Sequence, residues 1–350
     1  MKRMNSRTNN ETIAIAKAIG IMFVVLWHAN PPIWIGKFIM FFCVPLFFFT
    51  SGYFFKPKEN IKDLFYYILK RIKKLYIPFI SWSILFLFLH NFFSDIYLYN
   101  EYYNTQNIIQ KLLGITTKLA YQDELLGPLW FVSVLFYISI IIGTISYICK
   151  KTNFYYPLFI LFFMLIIAVS SKYYIHFNHY LQQTAMYSFA LSFFLSGYLL
   201  KKYNINFTNN KIIIGCLIIL LIASFSYDRV VEMVNYTYYD VIPYFIIANA
   251  GIIVTLFSSH LLQQIKIKHF FVYIGYRTLI ILTLHIISFR LVSALKIYLY
   301  HMDIHHLSDH PVIIEYNHYF YLLYFVSGII IPLSLYYLYE TIKEKIKLLF

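Results

Sequence analysis

The chain reads as an all-α polytopic membrane protein, a bundle of about ten transmembrane helices with both termini cytoplasmic, and three observations predict that class. Of its 350 residues 60% are hydrophobic, 21% aromatic and only 13% charged, a balance foreign to a soluble domain of this size. Several apolar runs exceed 17 residues, each long enough to cross hydrocarbon about 30 Å thick as a helix. The cations collect in alternate segments between those runs, as the positive-inside rule requires of an even number of spans.

The predicted spans cover residues 12–30, 34–55, 76–93, 128–149, 154–171, 184–200, 211–227, 241–262, 272–295 and 318–339. The first, IAIAKAIGIMFVVLWHA, follows a basic tail with Lys2, Arg3 and Arg7 that resembles a signal peptide. It has no small-residue cleavage pattern and a second span follows at once, so it reads as a retained helix. Between the second and third spans lies KPKENIKDLFYYILKRIKK, whose apolar residues fall at helical spacing among basic ones. Residues 56–75 are therefore predicted as a basic cytoplasmic segment on the membrane surface. Residues 94–127, with Asp95, Glu101, Asp123 and Glu124, form a predicted extracytoplasmic loop with room for a re-entrant or amphipathic helix. Trp130 then opens the fourth span, where an aromatic-belt role is the common one. The ninth span, TLIILTLHIISFRL, places His285 between Arg277 and Arg290. After the tenth, TIKEKIKLLF leaves no room for a fused soluble domain, and no repeat or linker divides residues 1–350.

The formal charge of +14 marks topology rather than a nucleic-acid partner. With the N-terminus inside, the cytoplasmic segments hold the cations from Lys56 to Lys74 and the pairs Lys150–Lys151, Lys201–Lys202 and Lys266–Lys268. The opposite segments keep Lys37, Lys111, Lys118, Lys172, Arg229 and Lys296. Cys43, Cys149 and Cys216 lie in or at the ends of apolar runs and read as packing residues. Loops for dinucleotide or nucleotide phosphates, zinc-protease signatures and serine-hydrolase elbows are absent. His301, His305, His306 and His310 lie on a polar loop without ordered carboxylates, and no metal site is predicted there.

Ionisable groups within lipid are the sharpest functional signal. Lys17 and His28 stand eleven residues apart on the first span, about 16 Å of helix rise. His28 is either satisfied by a neighbouring helix or reactive, and Trp27 and Trp34 at the same depth fit an interfacial belt. Arg71 and Lys74, one helical turn apart, either anchor the chain to anionic lipid or hold a phosphorylated ligand at the cytoplasmic mouth. His285 is either a hydrogen-bonded core histidine or part of a site.

These residues carry a resemblance to the acyltransferase-3 family of integral membrane acyltransferases. In that family's first span a basic residue is followed eleven positions later by histidine, as Lys17 is by His28. FFCVPLFFFTSGYFF is similar to its PLFFFxSGY segment through Pro45, Phe47, Phe48, Phe49, Ser51, Gly52 and Tyr53. KRIKKLYIPFISW resembles its basic stretch before the third span, PLWFVSVLFY its LWF segment, and IGYRTLIILTLH its late span ending in histidine. The matches are collinear over most of the chain. Where the family often has arginine this chain has Lys17, where it often has aspartate this chain has Ala14, and its paired arginines become Arg71 with Lys74. The acid is replaced by Glu11 or by nothing.

The resemblance implies an O-acetyltransferase in a bacterial cytoplasmic (inner) membrane. It would move an acetyl or other short acyl group from cytoplasmic acyl-coenzyme A to a hydroxyl of a surface polysaccharide or its lipid-linked precursor, O-antigen or capsule being favoured. Acetyl-CoA would be a substrate, with no permanently bound cofactor; the partners would be acyl-CoA, a carbohydrate acceptor and the bilayer. His28 would be catalytic, as general base or as acyl acceptor, and Lys17, Arg71 and Lys74 would bind the donor. Ser51, Gly52, Tyr53, Trp130 and His285 would line the site. The rival readings are a transporter or a polymerase of lipid-linked polysaccharide units.

Overall fold

A computed structural model describes residues 6–120, 123–150, 161, 164–167, 169, 179–228, 230–233 and 241–349. Among these every regular element is helical. The helices are α1 (Ser6–His28), α2 (Ile33–Met40), α3 (Cys43–Tyr53), α4 (Ile61–Arg71), α5 (Ile77–Asp95), α6 (Thr105–Leu113), α7 (Trp130–Lys150), α8 (His179–Lys202), α9 (Asn210–Ser226), α10 (Val241–Leu262), α11 (Lys268–Tyr276), α12 (Thr278–Tyr300) and α13 (Phe320–Leu349). Seven helical stretches among the described residues are long and apolar enough to cross a membrane. This is a multi-pass membrane protein. The predicted run 154–171 falls mostly outside the described residues.

Several spans differ in detail from a single straight helix. The second breaks at Phe41–Phe42, dividing α2 from α3. The ninth breaks at Arg277, whose backbone (φ −116°, ψ 18°) leaves the helical region between α11 and α12. The basic stretch before the third span is continuous with it, because a wide π turn over Ile72–Tyr76 joins α4 to α5 into one helical run, Ile61–Asp95. Polar starts are set by side chains: Asn60, Asn104 and Asn209 each accept a hydrogen bond from a backbone N–H of the helix that follows.

The chain forms two compact units. The first comprises residues up to 20 with 33–77 and 131–275. Its core crossing is between α3 and α8, and two glycines make it possible. A Cβ on Gly52 would lie 1.7 Å from the carbonyl oxygen of Phe194, and one on Gly197 would lie 1.9 Å from that of Phe49. Helices in lipid gain by such close backbone approach, since no hydrophobic force drives them together. Around the crossing, Phe48, Phe49, Phe189, Phe193 and Phe194 are buried. At the start of α1, Thr12 donates to Gln263 (2.8 Å) and Glu11 pairs with Lys268 (3.4 Å).

The second unit comprises residues 21–32, 78–130 and 276 onward. Helices α12 and α13 form its centre, with the last turns of α1 beside them. Gly328 of α13 meets Phe289, Val25 and His285, so a methyl there would fall 2.6 Å from the Phe289 ring and 2.7 Å from Val25. The segment after α5 is fixed by a buried polar cluster. His90 stacks between Tyr99 and Tyr103 (ring centroids 4.1 and 3.4 Å) and its Nε2 meets the Glu101 carbonyl at 3.1 Å. Asp123 accepts from the Tyr99 hydroxyl and from Leu125 N–H.

Candidate active site

His28 is the last residue of α1, and the sequence places its ring one turn beyond Val24. Its Nδ1 lies 2.8 Å from the Val24 carbonyl and 3.3 Å from Nε2 of His285. A carbonyl only accepts, so Nδ1 of His28 carries the proton. His285 is fully buried, and its own Nδ1 faces the carbonyls of Leu282 (2.8 Å) and Ile281 (3.1 Å). That nitrogen is therefore protonated too. In a neutral ring its Nε2 then presents a lone pair to the His28 N–H. The hydrogen-bond partners thus assign both tautomers, and they leave Nε2 of His28 unprotonated.

The neighbourhood is shaped to hold His285 still. The loop before α7 passes so close that a Cβ on Gly127 would lie 1.7 Å from the Leu282 oxygen and 2.5 Å from Cε1 of His285. Gly127 N–H donates to the Thr283 carbonyl at 3.1 Å, which fastens the loop there. Phe289 covers His285 edge-on, with ring centroids 5.7 Å apart. Asn317 Nδ2 donates to the carbonyls of Asn30 (3.2 Å) and Ala29 (3.4 Å), tying down the chain just after His28. His310, on the loop between α12 and α13, lies within electrostatic reach of both rings. Partial burial, then the Arg290 charge, lowers His310 to about 4, so it is neutral at pH 7.

The first unit carries a different assembly. Arg71 and Lys58 both lie against the Tyr67 ring, at 4.8 and 4.2 Å from its centroid. Partial burial and the Arg71 charge hold Lys58 below the ordinary lysine range. Lys17 lies within electrostatic reach of Lys74, and Lys201 covers the Tyr53 ring at 5.0 Å. Glu59 is engaged by Lys150 at 3.1 Å and Asp63 accepts from Asn60, so the cations outnumber the acids available to them. Such a cluster is suited to a multiply charged phosphate ligand.

Of the residues singled out by sequence, the second unit joins His28 to His285 and holds Trp130, buried, at the start of α7. Lys17, Arg71, Lys74, Ser51, Gly52 and Tyr53 belong to the first unit. Gly52 is occupied by the helix crossing, and Ala14 packs its backbone against Gly275. Arg71 and Lys74 do not share one setting: the wide turn leaves Arg71 half-buried over Tyr67 and Lys74 exposed. Gly127 and Gly328 had no signal in the sequence beyond being glycines. His310 belonged to a histidine-rich loop whose fold was not legible. Among the described residues no three histidines, cysteines or carboxylates converge to hold a metal.

A protein-family model described as an acyltransferase domain matches residues 10–337. No curated protein and no solved structure matches the chain.

Proposed function

The chain belongs to the acyltransferase-3 family, and on that premise we propose that it is an O-acetyltransferase with His28 as its reactive base. The donor is acetyl- or another short acyl-coenzyme A from the cytoplasm, and the acceptor is a hydroxyl of a surface polysaccharide or its lipid-linked precursor, O-antigen or capsule being favoured. The setting is a bacterial inner membrane crossed about ten times, with both termini, the basic 56–75 segment and the donor on the cytoplasmic side. The observation that carries the reading is the His28–His285 hydrogen bond, which leaves one imidazole lone pair available at Nε2.

In direct transfer, Nε2 of His28 removes the proton of the acceptor hydroxyl as its oxygen attacks the thioester carbonyl. The tetrahedral adduct collapses with cleavage of the C–S bond, and the imidazolium returns its proton to the departing thiolate. While His28 is an imidazolium, its Nδ1–H is held by the Val24 carbonyl and by the His285 lone pair, which stabilises the charge. If the acyl group rests on His28 first, Nε2 attacks the thioester carbonyl and the C–S bond breaks with departure of the coenzyme thiolate; the acceptor oxygen then attacks the acyl carbon, the C–N bond breaks, and the hydroxyl proton passes to the freed Nε2. Lys17, Arg71 and Lys74, with Lys58 beside them, supply the positive field for the coenzyme phosphates.

Membranes expressing the chain, supplied with radiolabelled acetyl-CoA and cell-surface glycan precursors, test the proposal. Acceptor-dependent release of free coenzyme A with label entering the glycan is the expected result. Label-free glycan, with movement or polymerisation of lipid-linked units instead, would replace it with the transporter or polymerase reading.

A further inference from the structure

Arg290 is the odd cation of the second unit. Only 4% of its surface is exposed, and among the described residues only Nη1 of its three nitrogens has a partner, the backbone carbonyl of Asp309. Nε and Nη2 are closed off from solvent and meet no acceptor among the described residues. Those two nitrogens share one edge of the planar guanidinium. It is the edge that grips both oxygens of a carboxylate or phosphate in a side-on fork.

The nearby acids do not fill that edge. The Asp309 carboxylate accepts from His306 at 2.9 Å, Asp123 is taken by the Tyr99 hydroxyl and Leu125 N–H, and Glu124 is exposed. A buried cation with an unmet fork is a costly arrangement, and stability alone does not select it. The place is also telling. His310 is within electrostatic reach of Arg290 on one side and of His28 and His285 on the other. Along α12, His285 and Arg290 are five residues apart, about 7.5 Å of rise and about 140° around the axis, so a ligand that reaches both must wrap part of the helix.

The geometry points to Arg290 as the oxyanion-binding residue of the acceptor subsite, so that the acceptor is an acidic glycan unit. Its hydroxyl meets His28 while a carboxylate or phosphate on the same or the adjoining unit takes the two free N–H donors. This rests on the transferase reading above but is tested by binding alone, without turnover, so either can fail while the other stands.

The experiment uses the full chain purified in detergent and three probes: methyl glucuronide, glycerol phosphate and the neutral methyl glucoside. Ligand-induced thermal shifts titrated to saturation give the affinities. At least one anionic probe is expected to bind about 10- to 100-fold more tightly than the glucoside, the range for a charge-assisted hydrogen-bonded pair. Preference for the glucuronide assigns the charge to an acidic sugar; preference for glycerol phosphate assigns it to a phosphate link. Arg290→Gln brings all three to parity, whereas Arg290→Lys, a point charge without the fork, retains part of the preference. If Arg290→Gln does not fold, the wild-type comparison decides. Equal binding of charged and neutral probes by the wild type overturns the assignment, as does an unchanged preference in a folded Arg290→Gln variant.

Discussion

In the first unit Lys58 and Arg71 lie against the Tyr67 ring and Lys201 against that of Tyr53, whereas in the second Arg290 and Lys296 are sealed inside. Lys296 at least has its partner, the Ile313 carbonyl at 2.8 Å; two nitrogens of Arg290 meet none among the described residues. The difference separates two kinds of electrostatic work. Cations near water attract a mobile, highly charged ligand through a field that salt screens. Sealed cations act only at contact, on a group that fits them. The glycines divide in the same way: Gly52 and Gly197 serve a helix crossing, while Gly127 and Gly328 pack against the His285 side chain.

The glycine contrast yields the largest effects expected away from the two histidines themselves. Gly197→Ala forces a methyl into the Phe49 backbone, which has no room to yield. Overpacking of this kind costs on the order of 3 kcal/mol, and size-exclusion traces of the extracted protein should show the folded fraction fall sharply. Gly127→Ala also meets backbone, the Leu282 oxygen at 1.7 Å, so its folded fraction should fall too, and in the protein that does fold the loop presses on His285. A displacement of His285 by about 1 Å is expected to reduce acyl transfer about 100-fold. A Gly127→Ala protein with full activity would show that the loop and His285 are not mechanically linked.

Neutralising the first unit's cations should be milder and of another kind. Arg71→Gln combined with Lys58→Gln is expected to raise KM for acetyl-CoA about 10-fold with kcat little changed, through loss of charge-assisted phosphate contacts. Raising the salt concentration should weaken wild-type donor binding more than that of the double variant. If kcat falls instead and KM holds, the cluster is not a donor site.

The smallest effect distinguishes two histidines of one loop. His310 has its folded pKa lowered from 6.5 to about 4 by partial burial and then by Arg290, so the unfolded chain takes up the proton first on acidification. Its contribution is present above pH 6.5 and is lost as the pH falls toward 4. The hydrogen bond from His306 to Asp309 raises the His306 pKa, so that contribution is full below 6.5 and is lost as the pH rises through the folded value. Melting curves from pH 4 to pH 8 should therefore flatten on the acid side in His310→Gln and on the basic side in His306→Gln.

Most of the architecture was legible because lipid imposes long apolar runs, and those runs survive in the sequence without any knowledge of contacts. The breaks were not. Pro45, in the first turn after the Phe41–Phe42 break, and Gly275, two residues before Arg277, stand beside the interruptions but are residue types that membrane helices also carry without a break, and the π turn at Ile72–Tyr76 continues a helix that the basic residues seemed to end. Lys17 and His28 stood out because each is an ionisable group in hydrocarbon. The pairing of His28 with His285 was hidden, since residues so distant in the chain share no spacing rule. The tautomers follow only from the carbonyls of Val24, Ile281 and Leu282, which side-chain identity does not report.

The proposed transfer depends above all on Nε2 of His28 as base, with His285 fixing the tautomer. The direct test is steady-state acyl transfer by the purified full chain as wild type, His28→Gln and His285→Gln, each checked for folding by size exclusion. The expected result is loss of at least about 1,000-fold in kcat for His28→Gln, and of about 10- to 100-fold for His285→Gln with KM for acetyl-CoA unchanged. A folded His28→Gln protein that still transfers acyl groups at the wild-type rate would contradict it.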